Sequence, residues 1–241
     1  MLESSIKPIF WILCWVSLAV CLPLFFIGLN VNWAFGSESV YMYSVDNFGV
    51  TEKSGIDRQE LFNSMREMIK YFNYSTEISS ILVDKNGHIE YLFSKQEQTH
   101  FKDVRSMLLG IKIVAWICGS VLLFTIAAFS YFTIKEANTY ARSILRCFKL
   151  SAITTLGIFG SVTVVSLFGG FNYLFYWFHV LSFSNDLWMG TESSRMIQLF
   201  PSEFFMHVLI MIAVATCLEM VTVVVVLQSF FKFIYMHKRR V

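Results

Sequence analysis

Charge is what this chain has least of. Charged residues make up 15% of the 241 and hydrophobic ones 56%, where a soluble globular domain averages about 25% and roughly 45–50%. So much apolar surface must face something other than water. The net charge of +2 is too small to point to nucleic acid. Cysteine is sparse too: Cys14, Cys21, Cys118, Cys147 and Cys217, four in apolar runs and one in a short basic stretch. With no C-x-x-C pair, neither a disulfide framework nor a cysteine-based zinc site is expected. There is no G-x-S-x-G, so no nucleophile elbow is signalled. The histidines show neither H-x-x-x-H nor H-x-x-E-H spacing, which argues against a hydrolytic zinc site. No A-x-A-like cleavage site follows the first apolar run, and that run is too long for a signal-peptide core, so an uncleaved anchor is expected. Internal repeats and low-complexity stretches are lacking.

What the sequence has instead is four apolar runs, each near the roughly 20 residues that a bilayer demands. They cover residues 8–31, 107–134, 150–177 and 206–234. The last contains a β-branched stretch, Val221 to Val226, that would be a strand in water. In lipid the backbone must satisfy its own hydrogen bonds, so helix is expected. Basic residues set the orientation. Residues 135–149 carry Lys135, Arg142, Arg146 and Lys149 against Glu136 alone, and the C-terminus carries Lys232, Lys238, Arg239 and Arg240 with no acid. Both ends are therefore expected in the cytoplasm, with the segment between the first two spans and the loop 182–205 outside. The expected fold is an α-helical integral membrane protein: four transmembrane helices and a small mixed α/β extracytoplasmic cap. Its parts are an N-terminal helix (1–31), the cap (32–106), a second helix (107–134), a basic cytoplasmic loop (135–149), a third helix (150–181), an outer loop (182–205) and a fourth helix with a basic tail (206–241).

Within the cap, Val40 to Val45 has strand composition. Residues 56–71 follow a helical pattern, with Leu61, Met65, Met68 and Ile69 on one face and Asp57 placed as an N-cap. Residues 80–83 and 88–93 form a strand pair around a turn at 84–87, where Asn86-Gly87 is a strong hairpin signal.

Two segments could carry chemistry. From Ser94 the chain turns helical, with Glu97 three residues on completing a capping box. Glu97, His100 and Asp103 then recur at i, i+3 and i+6, close to one face. A histidine flanked by carboxylates is a base whose orientation can be set, although charge patterning alone favours a solvated helix entrance. The second segment has His179 ending the third span among Tyr173, Tyr176, Trp177 and Phe178, followed by Asn185, Asp186 and Trp188. Aromatic residues there also fit an ordinary interface belt. Counted as one straight helix from residue 150 at roughly 1.5 Å per residue, His179 lies about 44 Å along. That is at or beyond the outer edge of a hydrocarbon core about 30 Å thick. Lys112 and Glu219, ionisable residues within spans, are functional candidates by default. Lys112 is shallow enough to snorkel, and Glu219 has no assigned role. His88 is expected to be structural, His207 could support a site, and His237 belongs to the basic tail. Residues 151–155, rich in Ser and Thr, suit helix packing.

The segments F-S-x-x-E-x-x-H-x-x-D-V-R and F-H-x-x-x-F-x-N-D-x-W, followed by residues 199–205 before the last span, resemble the bacterial lipoprotein intramolecular transacylases over nearly the whole chain. Phe101 stands where a smaller hydrophobe is usual, and Arg105 where lysine is commoner. The resemblance implies a cell-membrane enzyme that moves the sn-2 acyl chain of a diacylglyceryl-cysteine lipoprotein onto the α-amino group of the same cysteine, leaving a lyso-form product. It also implies His100 and His179 as the catalytic pair, with Glu97, Asp103, Asn185, Asp186 and Trp188 supporting or orienting the substrate. The expected partners are diacylglyceryl-modified lipoproteins and membrane lipid, for a monomer with no cofactor and no metal. Two other readings share the topology: a non-enzymatic sensor with an extracytoplasmic ligand-binding cap, and a metal-dependent membrane hydrolase. Reporter fusions after Val241 and within residues 84–88 are expected to report opposite sides of the membrane; the same side for both would end the four-span model.

Overall fold

A helix is the one element that satisfies its whole backbone from within, and helices make up nearly all of this chain. The computed structural model describes residues 2–74, 77–78, 81–85, 87–133 and 137–238. The elements in order are α1 (Leu2–Gly36), α2 (Glu38–Asn47), α3 (Val50–Ser54), α4 (Arg58–Asn73), β1 (Leu82–Lys85), β2 (His88–Tyr91), α5 (Lys95–Thr133), α6 (Ala137–Val165), a kinked segment (Ser166–Gly170), α7 (Phe171–Ser182), α8 (Arg195–Leu199) and α9 (Ser202–Lys238). Four stretches are long and apolar enough to cross a membrane: Trp15–Gly36, Lys95–Ala128, Leu145–Ser182 and Ser202–Lys232.

The chain divides into two compact units. One comprises Met1–Asn30, Lys112–Val162 and Ala213–Val241. Leu18, Leu22, Leu122, Phe148, Ala152 and Met220 form its core. Ser151 and Thr155 are buried here, and the Ser151 hydroxyl donates to the Leu18 carbonyl at 3.4 Å. Small polar residues let helix backbones approach in this way. Glu219 gains a partner: Asn30 Nδ2 donates to its carboxylate at 2.8 Å and to Thr216 Oγ1 at 3.0 Å. The four cysteines whose side chains are described, Cys21, Cys118, Cys147 and Cys217, form no disulfide; the Cys14 side chain lies outside the described residues.

The other unit comprises Val31–Ile111 and Thr163–Ile212, and it holds both candidate segments, from Glu97 to Asp103 and from His179 to Trp188. Its core includes Val50, Ile56, Leu61, Met65, Met68, Val83, Leu92 and Leu199. Asp57 caps α4 through its side chain, accepting from Gln59 N–H at 2.8 Å, and the face predicted for that helix is buried. The hairpin pairs Leu82 with Tyr91, Val83 with Glu90, Asp84 with Ile89 and Lys85 with His88.

Four expectations change. Residues 40–45 are helix, not strand. Val40, Tyr41, Ser44 and Val45 are the buried positions of α2, an i, i+1, i+4, i+5 pattern that only a helix puts on one face; burial decides against the strand-like composition. The hairpin turn is shorter than 84–87, because Asp84 and Lys85 belong to β1. Gly87 turns with φ 84° and its N–H is bonded by Asp84 Oδ1 at 2.7 Å, while Asn86 lies outside the described residues. The basic segment 135–149 is helical from Ala137 onward, because no Gly or Pro interrupts it. Lys135, Glu136, Arg239 and Arg240 lie outside the described residues, as do the side chains of Arg142, His237 and Lys238. Finally, the third span is broken. Phe168 (φ −89°, ψ 24°) and Gly169 (φ 88°, ψ 1°) leave helical geometry, so straight-helix reckoning from residue 150 does not fix the depth of His179.

Candidate active site

The site begins where β2 hands the chain to α5. The Ser94 hydroxyl accepts the Glu97 N–H at 3.3 Å, and the Glu97 carboxylate accepts the Ser94 N–H at 2.7 Å. This reciprocal bond is the capping box, and it satisfies two of the amide donors that a helix start leaves open. The same carboxylate reaches the segment between α7 and α9 through its second oxygen. Glu97 Oε1 accepts from the Ser194 hydroxyl at 2.6 Å and from the Met196 N–H at 2.8 Å. Glu97 is 6% exposed. A carboxylate that deep is tolerable because donors surround it.

Two further contacts tie α5 to the loop. Asn185 Nδ2 donates to Asp103 Oδ2 at 3.0 Å, while Asn185 Oδ1 accepts the Leu187 N–H at 3.1 Å. One side-chain amide thus shapes the turn and docks it. Gln96 Nε2 donates to the Met189 carbonyl at 3.1 Å.

His100 sits between these ties, 4% exposed. Its ring centroid lies 5.0 Å from that of Phe183 and 6.1 Å from that of His179. His100 Nδ1 is buried with no hydrogen-bond partner among the described residues. His179, on α7, is 7% exposed. It is ringed by Phe175 at 4.2 Å, Trp188 at 4.7 Å, Phe178 at 5.2 Å and Phe183 at 5.6 Å. His179 Nδ1 lies 2.7 Å from the Phe175 carbonyl oxygen. A carbonyl can only accept, so Nδ1 carries the hydrogen and the neutral ring leaves Nε2 with a free lone pair.

The structure therefore brings His100, His179 and Trp188 together, and places Glu97, Asp103 and Asn185 as ties around them. Asp186 stands apart: it is exposed, and its carbonyl accepts the Met189 N–H within the turn. His207 belongs elsewhere, its Nδ1 2.7 Å from the Tyr43 hydroxyl and its ring 5.5 Å from Phe48. His88 is exposed on β2. Phe183 stands in the quoted motif without an assigned role, and sequence reasoning missed Gln96, Ser194 and the Met196 amide. Their roles rest on loop geometry, which no local pattern of residue types announces. Among the described residues no three His, Cys, Asp or Glu side chains gather as a metal site requires.

Comparison with known proteins agrees on one family. Residues 16–205 match the family model described as lipoprotein intramolecular transacylase Lit. No curated protein matches the chain at a significant level. Similar solved structures include the membrane-integral lipoprotein intramolecular transacylase Lit from Bacillus cereus, with a TM-score of 0.69 and 19% identity over 95% of this chain and 97% of that one. Two more structures of that protein, with a histidine replaced by alanine or by arginine, give TM-scores of 0.67 at 17% and 18% identity. They cover 100% and 99% of this chain and 100% and 97% of theirs. At such identity the likeness is one of fold.

Glu97→Ala is expected to strip the acceptor from three buried or half-buried donors, each left unmade at about 1–3 kcal/mol. Hydrogen exchange at the Met196 amide should accelerate sharply while exchange in α4 stays slow. An unchanged rate at Met196 would show that the carboxylate does not hold the loop.

Proposed function

The chain belongs to the Lit family of lipoprotein intramolecular transacylases, and we propose that it transfers the sn-2 acyl chain of a diacylglyceryl-cysteine lipoprotein to the α-amino group of that same cysteine, using His100 and His179. Membership in a family of transacylases, together with four helices long and apolar enough to cross a membrane, makes this a multi-pass membrane enzyme and sets aside the sensor reading. The observation that carries the histidine assignment is the pair of buried imidazoles, 6.1 Å apart, one of which has its tautomer fixed by a backbone carbonyl.

In this reaction the amine nitrogen bonds to the acyl carbon, the ester C–O bond at sn-2 breaks, and one proton passes from nitrogen to the departing oxygen. Nucleophile and ester share one molecule, so much of the entropy of encounter is already lost before binding. An amide replaces an ester, so no ATP is needed. His179 Nε2, with its free lone pair, takes the proton from the attacking nitrogen. The imidazolium so formed is the acid that serves the alkoxide. His100 is the second station for that proton. Two positive charges so close in a desolvated site repel and are poorly stabilised, so the pair handles one proton at a time. Trp188 and Phe183 shut water away from the rings, and Glu97, Asp103 and Asn185 hold the loop that supplies them. Asp186, exposed on that loop, is a candidate substrate contact. We further propose cytoplasmic termini, an extracytoplasmic catalytic face, lateral entry of the acyl chain from lipid, and action as a monomer without metal.

Replacing either histidine with alanine should lower transacylation by about 10²–10⁴-fold, the usual contribution of general acid–base catalysis, read by mass spectrometry of lipoprotein N-termini. Near-normal product from both variants would sink the assignment. Activity should also survive exhaustive chelation. Loss that zinc restores would instead favour a metal-dependent hydrolase.

A further inference from the structure

The proposed catalytic histidine on α7 follows a break in the third span, and the pattern of burial on either side of that break does not fit one helix. Before it, Ser166 is 2% exposed while Val164, Val165, Leu167 and Phe168 around it are all exposed. After it, Phe171 and His179 are the buried positions of α7, while Tyr173, Tyr176, Trp177, Val180 and Leu181 are exposed. Each stretch thus has a single buried side. An unbroken α-helix turns about 100° per residue. Phe171 would then stand roughly 140° round the axis from Ser166, and His179 roughly 220° round, on the far side. Something between them must take up the mismatch.

The segment Ser166–Gly170 does so. Phe168 and Gly169 leave helical dihedrals there, and Gly169 takes φ 88°, the left-handed region open to glycine and disfavoured for residues with a side chain. Gly170 is constrained differently. A Cβ there would lie 2.6 Å from Val165 Cγ1 and 2.8 Å from the Val165 carbonyl oxygen. A rotamer change could move the methyl group aside, but not the carbonyl. The two adjacent glycines are thus required for separate reasons, one for its dihedral and one for its bare Cα.

We infer that Gly169 and Gly170 are positioning residues for the transacylation, setting the rotational phase of α7 so that His179 faces His100 and Trp188 instead of the opposite side. This rests on the histidine mechanism proposed above.

The test separates the two. Activity is measured in the full chain with both histidines intact, for Gly169→Ala, Gly169→Asn and Gly170→Ala. Phase is measured in a version whose five native cysteines are replaced by alanine. There His179→Cys and Trp188→Cys are joined by a short bifunctional thiol reagent, with and without each glycine variant. Gly169→Ala is expected to lower kcat about 10²-fold, the usual penalty for a small misplacement of a reacting group, with KM unchanged, and to abolish the crosslink. Gly169→Asn should restore both, because asparagine tolerates positive φ. Should Gly169→Ala fail to insert, Gly170→Ala gives the same readouts. A crosslink that persists while kcat falls would overturn the phase inference. A crosslink lost with kcat intact would leave the phase role standing and overturn the catalytic role of His179.

Discussion

Everything at the site hangs on the buried carboxylate of Glu97. Burying an ion costs several kcal/mol unless donors replace its water, and here the replacements come from two distant pieces of chain. The Ser94 amide belongs to the start of α5. The Ser194 hydroxyl and Met196 amide belong to the end of an irregular loop some hundred residues later. Neither end can leave without stranding the charge. The Asp103–Asn185 bond repeats the connection at the loop's other end. A loop with little regular structure is thereby fixed at both ends to one helix, and His100 lies between the two ties. The carboxylates flanking the histidine thus hold the frame around it, a different task from tuning its charge directly.

The aromatic residues complete that frame. Phe175, Phe178, Phe183 and Trp188 enclose His179 with edge and tilted contacts. Their packed rings exclude the water that would otherwise donate to the Nε2 lone pair. Excluding water strengthens every remaining electrostatic contact. It also protects an acyl group whose transfer to water would be hydrolysis. A transacylase must prefer an amine to water at vastly higher concentration, and a dry site with an intramolecular amine supplies that preference in two ways at once.

How much of this could be read in the sequence follows from the range of the interactions. Capping boxes, N-caps and hairpin turns are local, and Ser94–Glu97, Asp57 and Gly87 each did what their neighbourhood predicted. The four spans follow from composition. Residues 40–45 went wrong because β-branched and aromatic residues are strand-like on average, while the buried set Val40, Tyr41, Ser44 and Val45 depends on partners far away in sequence. Ser194 and Gln96 carry no motif, and only the fold makes them partners of Glu97 and Met189. The histidines came forward through family resemblance. Composition alone left His179 evenly balanced between a site and an interface belt.

The break in the third span was hardest to foresee, and the reason is physical. Glycine is common in membrane helices, so Gly169-Gly170 in an apolar run looks like a packing surface. Yet a membrane helix that must also present a reactive group faces a conflict. Its lipid-crossing part takes the phase its neighbours demand, while its end must take the phase the chemistry demands. A continuous helix has only one phase. Irregular backbone resolves the conflict only where its freed polar groups find partners, which favours a break short enough for the helix to resume at once. The five-residue break at Ser166–Gly170 meets that condition, since only Phe168 and Gly169 leave helical dihedrals and α7 begins at Phe171 directly after it. On the proposed mechanism the two glycines and the histidine nine residues beyond them act as one unit, although no short motif joins them.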